Sequence, residues 1–394
     1  MSAETTTGTT DEITLDDVAL IARGAAVLGT GGGGDPYIGR LMAEQAIRAR
    51  GPVTLVAAHD LPDDAVVFPV AMMGAPTVMV EKLPTTEQIG ASVMLLSRHL
   101  GRPVTHVACA EVGGVNSMVP IVAAAQLGLP LVDADLMGRA FPELQMVLPT
   151  LAGLPGTPMS IADEKGNVGI LDTVDNPWSE RLARALTIQM GCSAIISNVV
   201  LSGAEVKQHA VLGSLSWCRR IGRSVEQARR QRRSAVDAVV EALGGRLVFT
   251  GKVADVARRT TTGFARGTAT LASMTSSRSG GAGDTLQLEF QNEHLLATRH
   301  REGRRHEVEV STPDLIVVLD AETGEPITTE ALRFGQRVSV LGAPCDERWH
   351  SEAGLALVGP RYFGYDTDAV RAVPAVPAHP TDGAPDRQED LVRT

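Results

Sequence analysis

The stretch Val104-Thr-His-Val-Ala-Cys-Ala-Glu111, followed by Gly113-Gly114, and the later stretch Leu131-Val-Asp-Ala-Asp135 decide the fold. Each begins as a short, largely apolar run that indicates a buried strand, and each ends in carboxylates. Residues 116–127 between them are rich in Ala, Val and Ile and predict a helix, in which Pro120 is tolerated because it lies in the first turn. Strand, helix and strand in this order form a βαβ unit, which requires a parallel sheet.

Carboxylates are the side chains that this unit brings to the ligand-binding edge. In a parallel sheet the loops beyond the carboxyl ends of the strands line the ligand crevice. We therefore expect Glu111, Asp133 and Asp135 to share one pocket as catalytic residues. Mutual repulsion raises the pKa of clustered acids, and a carboxylate with a raised pKa can act as a general base, with Glu111 as the first choice. The alternative is that either aspartate caps the turn after it.

A second candidate feature is the run Leu28-Gly-Thr-Gly-Gly-Gly-Gly-Asp-Pro36. A glycine-rich loop that opens a helix offers free N–H groups to an anion. The alternative is a helix C-cap joined to a tight turn. Arg139 is placed to bind a substrate carboxylate bidentately. The expected substrate-binding residues are Gly31, Gly32, Gly33, Gly34, Asn116, Arg139 and Glu143.

Other reactive side chains lie inside the first predicted strand. His106 is expected to be a core residue. Cys109 is expected to be buried as well, although its position two residues before Glu111 leaves a thiol mechanism as an alternative. Oxygen-rich sites suit hard cations, so a divalent metal is an open alternative, but no His cluster accompanies the acids. The sequence therefore assigns no cofactor.

Length and composition limit the class of protein. A chain of 394 residues predicts two domains, and 44% hydrophobic with 21% charged residues is typical of a soluble globular protein. The net charge of −10 argues against nucleic acid as a main partner, and no apolar run is long enough to span a membrane. The four cysteines lack C-x-x-C spacing and are expected to be reduced. We expect a cytoplasmic homo-oligomer that acts on a small molecule.

The hydrophobic period changes along the chain. Residues 12–165 alternate strands with helices and predict an N-terminal α/β domain with a largely parallel sheet. Residues 166–368 are predicted to be helical to about 244, with the arginines between Arg219 and Arg233 on a solvated face. From Arg246 the period becomes two, which predicts a β-rich barrel or sandwich. The proline-rich residues 371–394 predict a disordered tail.

Several motifs resemble those of the DUF917 family, over roughly Thr14 to Asp366. They are the glycine run 28–36, Glu111–Asn116, Val132–Asp135, Met137–Glu143, Thr261–Gly267, Phe290–Glu293, Thr312–Leu315 and Thr323–Glu330. The resemblance implies an α/β N-terminal domain and a β-rich C-terminal domain. Members are also called S-methyl thiohydantoin desulfurases, which implies a thiohydantoin or hydantoin ring from the catabolism of sulfur-containing histidine derivatives as the substrate class.

Two functional hypotheses follow. The first is a hydrolase that replaces sulfur by oxygen at the ring carbon, which needs a water, a base and a group that protonates the leaving thiolate. The second is a non-catalytic ligand-binding or accessory subunit of a hydantoinase-type system. The acids favour the enzyme, because a pure anion-binding protein would place cations there. Five polar residues of the second domain lie at strand ends or turns where they could close over the cleft. They are Lys252, Arg266, Asn292, Glu293 and Asp314.

Overall fold

The computed structural model describes residues 11–74, 85–261, 264–274 and 283–374. Most of the predicted disordered tail, residues 375–394, lies outside these ranges. The beginning of that tail packs against the protein, contrary to the prediction. Ala372 is buried, and its N–H donates to Asp314 Oδ2 over 2.7 Å. Arg371 pairs with Glu347 on the surface.

The first sheet is mixed and has a parallel centre. Its strands are β1 (Asp11–Ile13), β2 (Val53–Ala57), β3 (Val66–Gly74), β4 (His106–Cys109), β5 (Leu131–Asp135), β6 (Met159–Ala162), β7 (Val168–Leu171), β8 (Ser193–Ser197), β9 (Leu201–Ser202) and β10 (Val211–Leu212). Their order is β1-β2-β5-β4-β3-β8-β6-β7, with β10 beside β5 and β9 beside β3. The pairs β2–β5, β5–β4 and β4–β3 are parallel, which confirms the predicted βαβ unit and the α/β class.

The α-helices lie between the strands of the first sheet and continue into the second half of the chain. In the described ranges they are α1 (Leu15–Leu28), α2 (Pro36–Arg50), α3 (Glu87–Leu100), α4 (Val119–Leu127), α5 (Leu148–Leu151), α6 (Asn176–Gln189), α7 (Gly203–His209), α8 (Ser214–Arg230), α9 (Ala235–Leu243) and α10 (Glu352–Val358). None of these helices has both the length and the apolar composition needed to cross a bilayer.

Helix α8 is held against α1 by a close backbone contact. A Cβ atom at Gly24 would lie 2.0 Å from the carbonyl oxygen of Cys218, and one at Gly222 would lie 2.1 Å from that of Leu20. Only glycine allows the two helices to approach this closely. The contact matters for the site because it fixes the position of α8, whose N-terminus lies at the end of β5.

The second sheet is antiparallel throughout. Its strands are β11 (Arg246–Thr261), β12 (Phe264–Ser273), β13 (Thr285–Gln291), β14 (Glu293–His300), β15 (Glu307–Ser311), β16 (Leu315–Asp320) and β17 (Arg337–Ala343). They follow the order β15-β14-β13-β12-β11-β17-β16. The sheet is curled into a half-barrel, and its inner face holds an apolar core that includes Phe249, Leu288 and Val340. The predicted β-rich C-terminal domain is confirmed.

The boundary expected at 165/166 does not separate the two sheets. It falls in the turn of the β6–β7 hairpin, and both of these strands belong to the first sheet. Strands β8, β9 and β10 return to the same sheet. The sheet-forming part of the first domain therefore extends to Leu212, because β8 and β9 pair with β3 and β10 pairs with β5.

Candidate functional site

A cleft lies where the carboxyl ends of β3 and β4 meet the tight turn between β13 and β14. It contains about 790 Å³ of atom-free space, its open mouth included. Its polar lining comes from both domains and from the glycine loop that precedes α2. The polar and glycine residues of the lining are Gly33, Gly34, Gly74, Glu111, Asn116, Glu143, Arg184, Ser193, Asn198, Asn292 and Glu293. Apolar walls are formed by residues such as Met72, Phe141 and Val147.

Glu111 is buried in this cleft, as expected from its place at the end of β4. Its Oε1 accepts a hydrogen bond from Asn116 Nδ2, whereas its Oε2 has no hydrogen-bond partner within the described residues. Burial raises the pKa of Glu111 to about 8, against the opposing effect of the Asn116 hydrogen bond. A carboxyl group with this pKa can both release and accept a proton near neutral pH.

Glu293 is the second carboxyl group of the cleft, and it comes from the other domain. Only 2% of its surface is exposed. Oε1 accepts from the N–H of Gly33 at 3.3 Å, and Oε2 has no partner among the residues that the structure describes. Burial raises the pKa of Glu293 well above its usual value, and the nearby Glu111 raises it further. The two glutamates are therefore electrostatically coupled.

Asp133 and Asp135 do not line the cleft, so the expectation that three acids from β4 and β5 share one pocket is wrong. Asp133 Oδ1 accepts from the backbone N–H groups of Leu215 and Ser216, at the first turn of α8. Free N–H groups and the positive end of the helix dipole make this a favourable place for a carboxylate. Asp133 thus stabilises the junction of β5 and α8.

Asp135 has a related structural role. Its Oδ2 accepts from three backbone N–H groups, those of Val112, Met137 and Gly138, at 2.8–3.1 Å. Burial raises the pKa of Asp135 to about 7, and these amides oppose the rise. The side chain ties the loop after β4 to the loop after β5. Because Glu111 lies on the first of these loops, Asp135 acts as a positioning residue.

Arg139 does not reach the cleft either, and it is not free to bind a substrate carboxylate. It is fully buried, and its guanidinium makes five hydrogen bonds within the protein. Nη1 donates to the carbonyl oxygens of Pro313 and Asp314, while Nη2 donates to Thr30 Oγ1 and the carbonyl oxygen of His294. Burial lowers the pKa of Arg139 to about 10, so it stays charged at neutral pH.

The glycine loop connects the two domains through hydrogen bonds of its backbone, and this connection is called the joint. Gly31 O accepts from Thr329 N–H, Thr30 O accepts from His294 N–H, and Gly33 donates to Glu293. A Cβ atom at Gly32 would lie 2.0 Å from Glu293 Oε1. Of the four predicted substrate-binding glycines, only Gly33 and Gly34 line the cleft. The predicted anion site is not found at Gly33, because a carboxylate of the protein already occupies its amide.

Asn116 and Glu143 line the cleft, but most of their polar atoms already make hydrogen bonds within the protein. Asn116 Oδ1 accepts from Met72 N–H at 2.7 Å, and its Nδ2 donates to Met72 O and to Glu111. Glu143 Oε2 accepts from Gln145 and from the hydroxyl of Tyr362. Asn116 therefore orients Glu111, and Glu143 forms part of the rim.

Asn198 was not identified from the sequence, although it also lines the cleft. It is 4% exposed, and its Oδ1 is buried without a partner in the described part of the chain. It follows the apolar strand β8, which runs antiparallel to β3, so the rule for the carboxyl ends of parallel strands that selected Glu111 does not select it. Among the second-domain candidates, Asn292 and Glu293 reach the cleft, whereas Lys252, Arg266 and Asp314 do not.

The alternatives based on Cys109 and on a metal receive little support from the geometry. Cys109 is fully buried, and burial raises the pKa of its thiol well above the ordinary value, which disfavours the thiolate nucleophile. In the described ranges, one group of three donors is close enough to hold a metal ion: Asp314, Cys345 and His350. None of the three lines the cleft.

We predict that Arg139→Lys destabilises the protein by about 3–5 kcal/mol, because one ammonium group cannot replace a planar guanidinium and leaves buried carbonyl groups unpaired. Urea-induced unfolding measures the change. The matched control is Arg220→Lys on the exposed side of α8, which is expected to change stability by less than about 0.5 kcal/mol. A loss below about 1 kcal/mol for Arg139→Lys would show that the guanidinium does not hold the joint.

Comparisons with known proteins agree with this architecture. Models of the S-Me-THD-like N-terminal and C-terminal domains match residues 16–173 and 174–372. A crystal structure of a protein from Chromobacterium violaceum, solved as a structural genomics target, has a similar fold. It is 22% identical, with a TM-score of 0.76, and the match covers 92% of this chain and 100% of that chain. No curated protein matches the sequence.

Proposed function

Because the chain belongs to the S-Me-THD-like family, we propose that it is a hydrolase acting on a thiohydantoin- or hydantoin-like ring, with Glu111 and Glu293 as its acid–base pair. One observation carries the proposal. The Oε2 atoms of both glutamates are buried and have no partner within the described residues, and both side chains line the same cleft. An unpaired buried polar group costs about 1–3 kcal/mol, which a bound ligand or water would offset.

Burial and the charge of Arg139 act in opposite directions on the protonation of the pair. Its positive charge lowers the pKa of both glutamates, while burial raises both. Two like charges in a dry cleft repel, so the second carboxyl group to lose its proton does so at higher pH than the first. The reactive state that we propose has one carboxylate and one carboxylic acid beside one buried guanidinium, and it becomes populated as the pH rises towards the pKa of Glu111, about 8. Such a pair supplies a base and an acid at once.

The proposed reaction uses both forms of the pair. The carboxylate takes a proton from water as the water oxygen bonds to the ring carbon that carries sulfur, and this proton is passed to the ring nitrogen. The carboxylic acid donates to sulfur as the carbon–sulfur bond breaks. The remaining hydroxyl proton returns to the pair as the carbonyl forms. Water thus gives one proton to nitrogen and one to the thiol, and the pair keeps its single proton.

The remaining cleft residues would orient the ring. Asn198 Oδ1 is an unpaired acceptor suited to a ring N–H group. Met72 and Phe141 provide apolar walls for a small flat ring. Asp133 and Asp135, the catalytic candidates from the sequence, are proposed to act only by positioning. The four free cysteines fit the cytoplasmic location that we propose.

We predict that Glu111→Gln lowers kcat for thiol release from an S-methyl thiohydantoin by about 10²–10⁴-fold, because an amide cannot accept a proton from water. Wild-type kcat/KM is expected to fall as the pH drops below about 8, where Glu111 is protonated. Glu241→Gln on the exposed side of α9 is the control. Absent wild-type turnover, combined with thermal stabilisation by the same compound, would favour the accessory-subunit hypothesis instead.

The same substitution should stabilise the protein at high pH. The pKa of Glu111 is about 8 in the folded state against 4.5 as its ordinary value. A raised pKa gives stability that is full below pH 4.5 and lost as the pH rises to 8. Glutamine has no such loss, so Glu111→Gln should be more stable than wild type by a few kcal/mol at pH 8.5 and nearly equal at pH 5. An equal difference at both pH values, in urea unfolding, would contradict the raised pKa.

We further infer that a second copy of the chain covers an apolar stripe on α6. Trp178, Leu182 and Leu186 recur every four residues and are each 37–43% exposed. Beside them, β7 is the terminal strand in the order of the first sheet and exposes Val168. An edge strand can pair with its own copy across a two-fold axis, so this surface is self-complementary.

For the oligomer, Leu182→Glu is expected to halve the mass measured by light scattering, because it places charge in an apolar interface. Leu41→Glu is the matched control, since Leu41 is also 41% exposed but lies on α2. A wild-type monomer, or an unchanged mass for Leu182→Glu, would refute this interface.

A further inference from the structure

A second groove lies on the C-terminal sheet, separate from the acidic cleft. It contains about 890 Å³ of atom-free space, its mouth included. Strands β11, β12 and β13 form its floor, and the segment after the Pro360–Phe363 turn forms one wall. Its lining includes the side chains of Arg259, Arg266, Gln291, Glu289, Phe363 and Tyr365.

The register of the sheet brings two arginines together. Arg259 is directly opposite Arg266, and Arg266 is directly opposite Gln291. Directly opposed residues of antiparallel strands project from the same face. Neither arginine makes a hydrogen bond or an ion pair within the described residues. Like charges in this position destabilise a sheet unless a counter-charge lies between them.

Gln291 provides an independent indication of a ligand. The residue is 4% exposed, and its Nε2 is buried without a hydrogen-bond partner in the part of the chain that the structure describes. Because Gln291 projects from the same face as Arg266, this amide adds a donor beside the guanidinium groups. The row therefore consists of two guanidinium groups and one unpaired amide donor, and it contains no carboxylate.

The other polar groups of the groove do not provide a counter-charge for the two arginines. Arg258 Nη2 donates to the carbonyl oxygens of Thr329 and Leu332. Glu289 interacts with the hydroxyl of Tyr365, and burial raises the pKa of this carboxyl group. Phe363 and Tyr365 contribute flat aromatic surface. The groove thus offers two unpaired cations, one amide donor and an apolar wall, and its carboxyl group, that of Glu289, is engaged with Tyr365.

We propose that this groove binds a small organic anion, whose carboxylate or phosphate group lies between Arg259, Arg266 and Gln291 and whose flat apolar part packs on Phe363 and Tyr365. Guanidinium groups bind both kinds of oxyanion through paired hydrogen bonds. A small anion is favoured over an acidic macromolecule, because the chain carries a net charge of −10 and repels extended negative surfaces.

The two clefts are neighbours in the chain. Gln291 ends β13 in the anion groove, and Glu293 begins β14 in the acidic cleft. The proposal does not depend on the proposed hydrolase activity, because its evidence is the unpaired donor row alone. It can therefore be tested by binding, with no turnover required.

The experiment measures binding of benzoate, inorganic phosphate and the neutral benzamide to the full chain by calorimetry and ligand-observed NMR at constant ionic strength. Arg259→Gln and Arg266→Gln remove one guanidinium each, and both sites are exposed, so folding should be retained and can be checked by circular dichroism. Arg220→Gln makes the same charge change on the exposed side of α8 and is the matched control.

Saturable 1:1 binding of benzoate or phosphate is expected, about tenfold weaker in either groove variant and unchanged in Arg220→Gln. Benzamide should not bind this groove. The anion that binds more tightly identifies the preferred head group. The proposal is overturned if neither anion binds the wild type, if the groove variants bind as tightly as wild type, or if Arg220→Gln weakens binding equally.

Discussion

The buried guanidinium of Arg139 is the interaction on which the rest of the structure depends. It lies between the loop after β5, the threonine that begins the glycine loop, and the backbone of the second domain. Its hydrogen bonds go mainly to neutral carbonyl groups, so its charge is balanced only by acids nearby. Glu293 and Glu111 are two of those acids. One residue therefore joins the domains and also opposes the rise in pKa that burial causes in both cleft glutamates.

The acids at the strand ends of the first sheet are of two kinds, which differ in their surroundings. Asp133 and Asp135 accept hydrogen bonds from backbone N–H groups of helix α8 and of the neighbouring loops, and neither lines the cleft. Glu111 instead lines the cleft, where the side-chain amide of Asn116 and the backbone N–H of Phe141 approach it. The aspartates fix the loops and the helix behind the site, and the glutamates are the carboxyl groups that line the cleft.

The sequence predicted much of the fold and half of the acid pair. Strand periodicity and the βαβ order were sufficient for the parallel centre, and the strand-end rule placed Glu111 correctly. The environments of Asp133 and Arg139 could not be predicted, because their partners lie 82–83 and 109–175 residues away along the chain. Glu293 meets Gly33 across 260 residues. Local sequence patterns predict where on a strand or loop a side chain lies, but they do not predict which distant backbone groups it contacts.

The proposed acid pair is split between the two halves of the chain. Glu111 lies within the segment 16–173 and Glu293 within 174–372, so neither half contains both groups. A fragment ending near residue 173 would also lack the strands β8–β10 that complete its own sheet. Recombination between two relatives at that point would therefore combine one half of the site from each parent protein. We therefore expect members of this fold to diverge through paired substitutions on the two sides of the joint, and not through the exchange of whole domains.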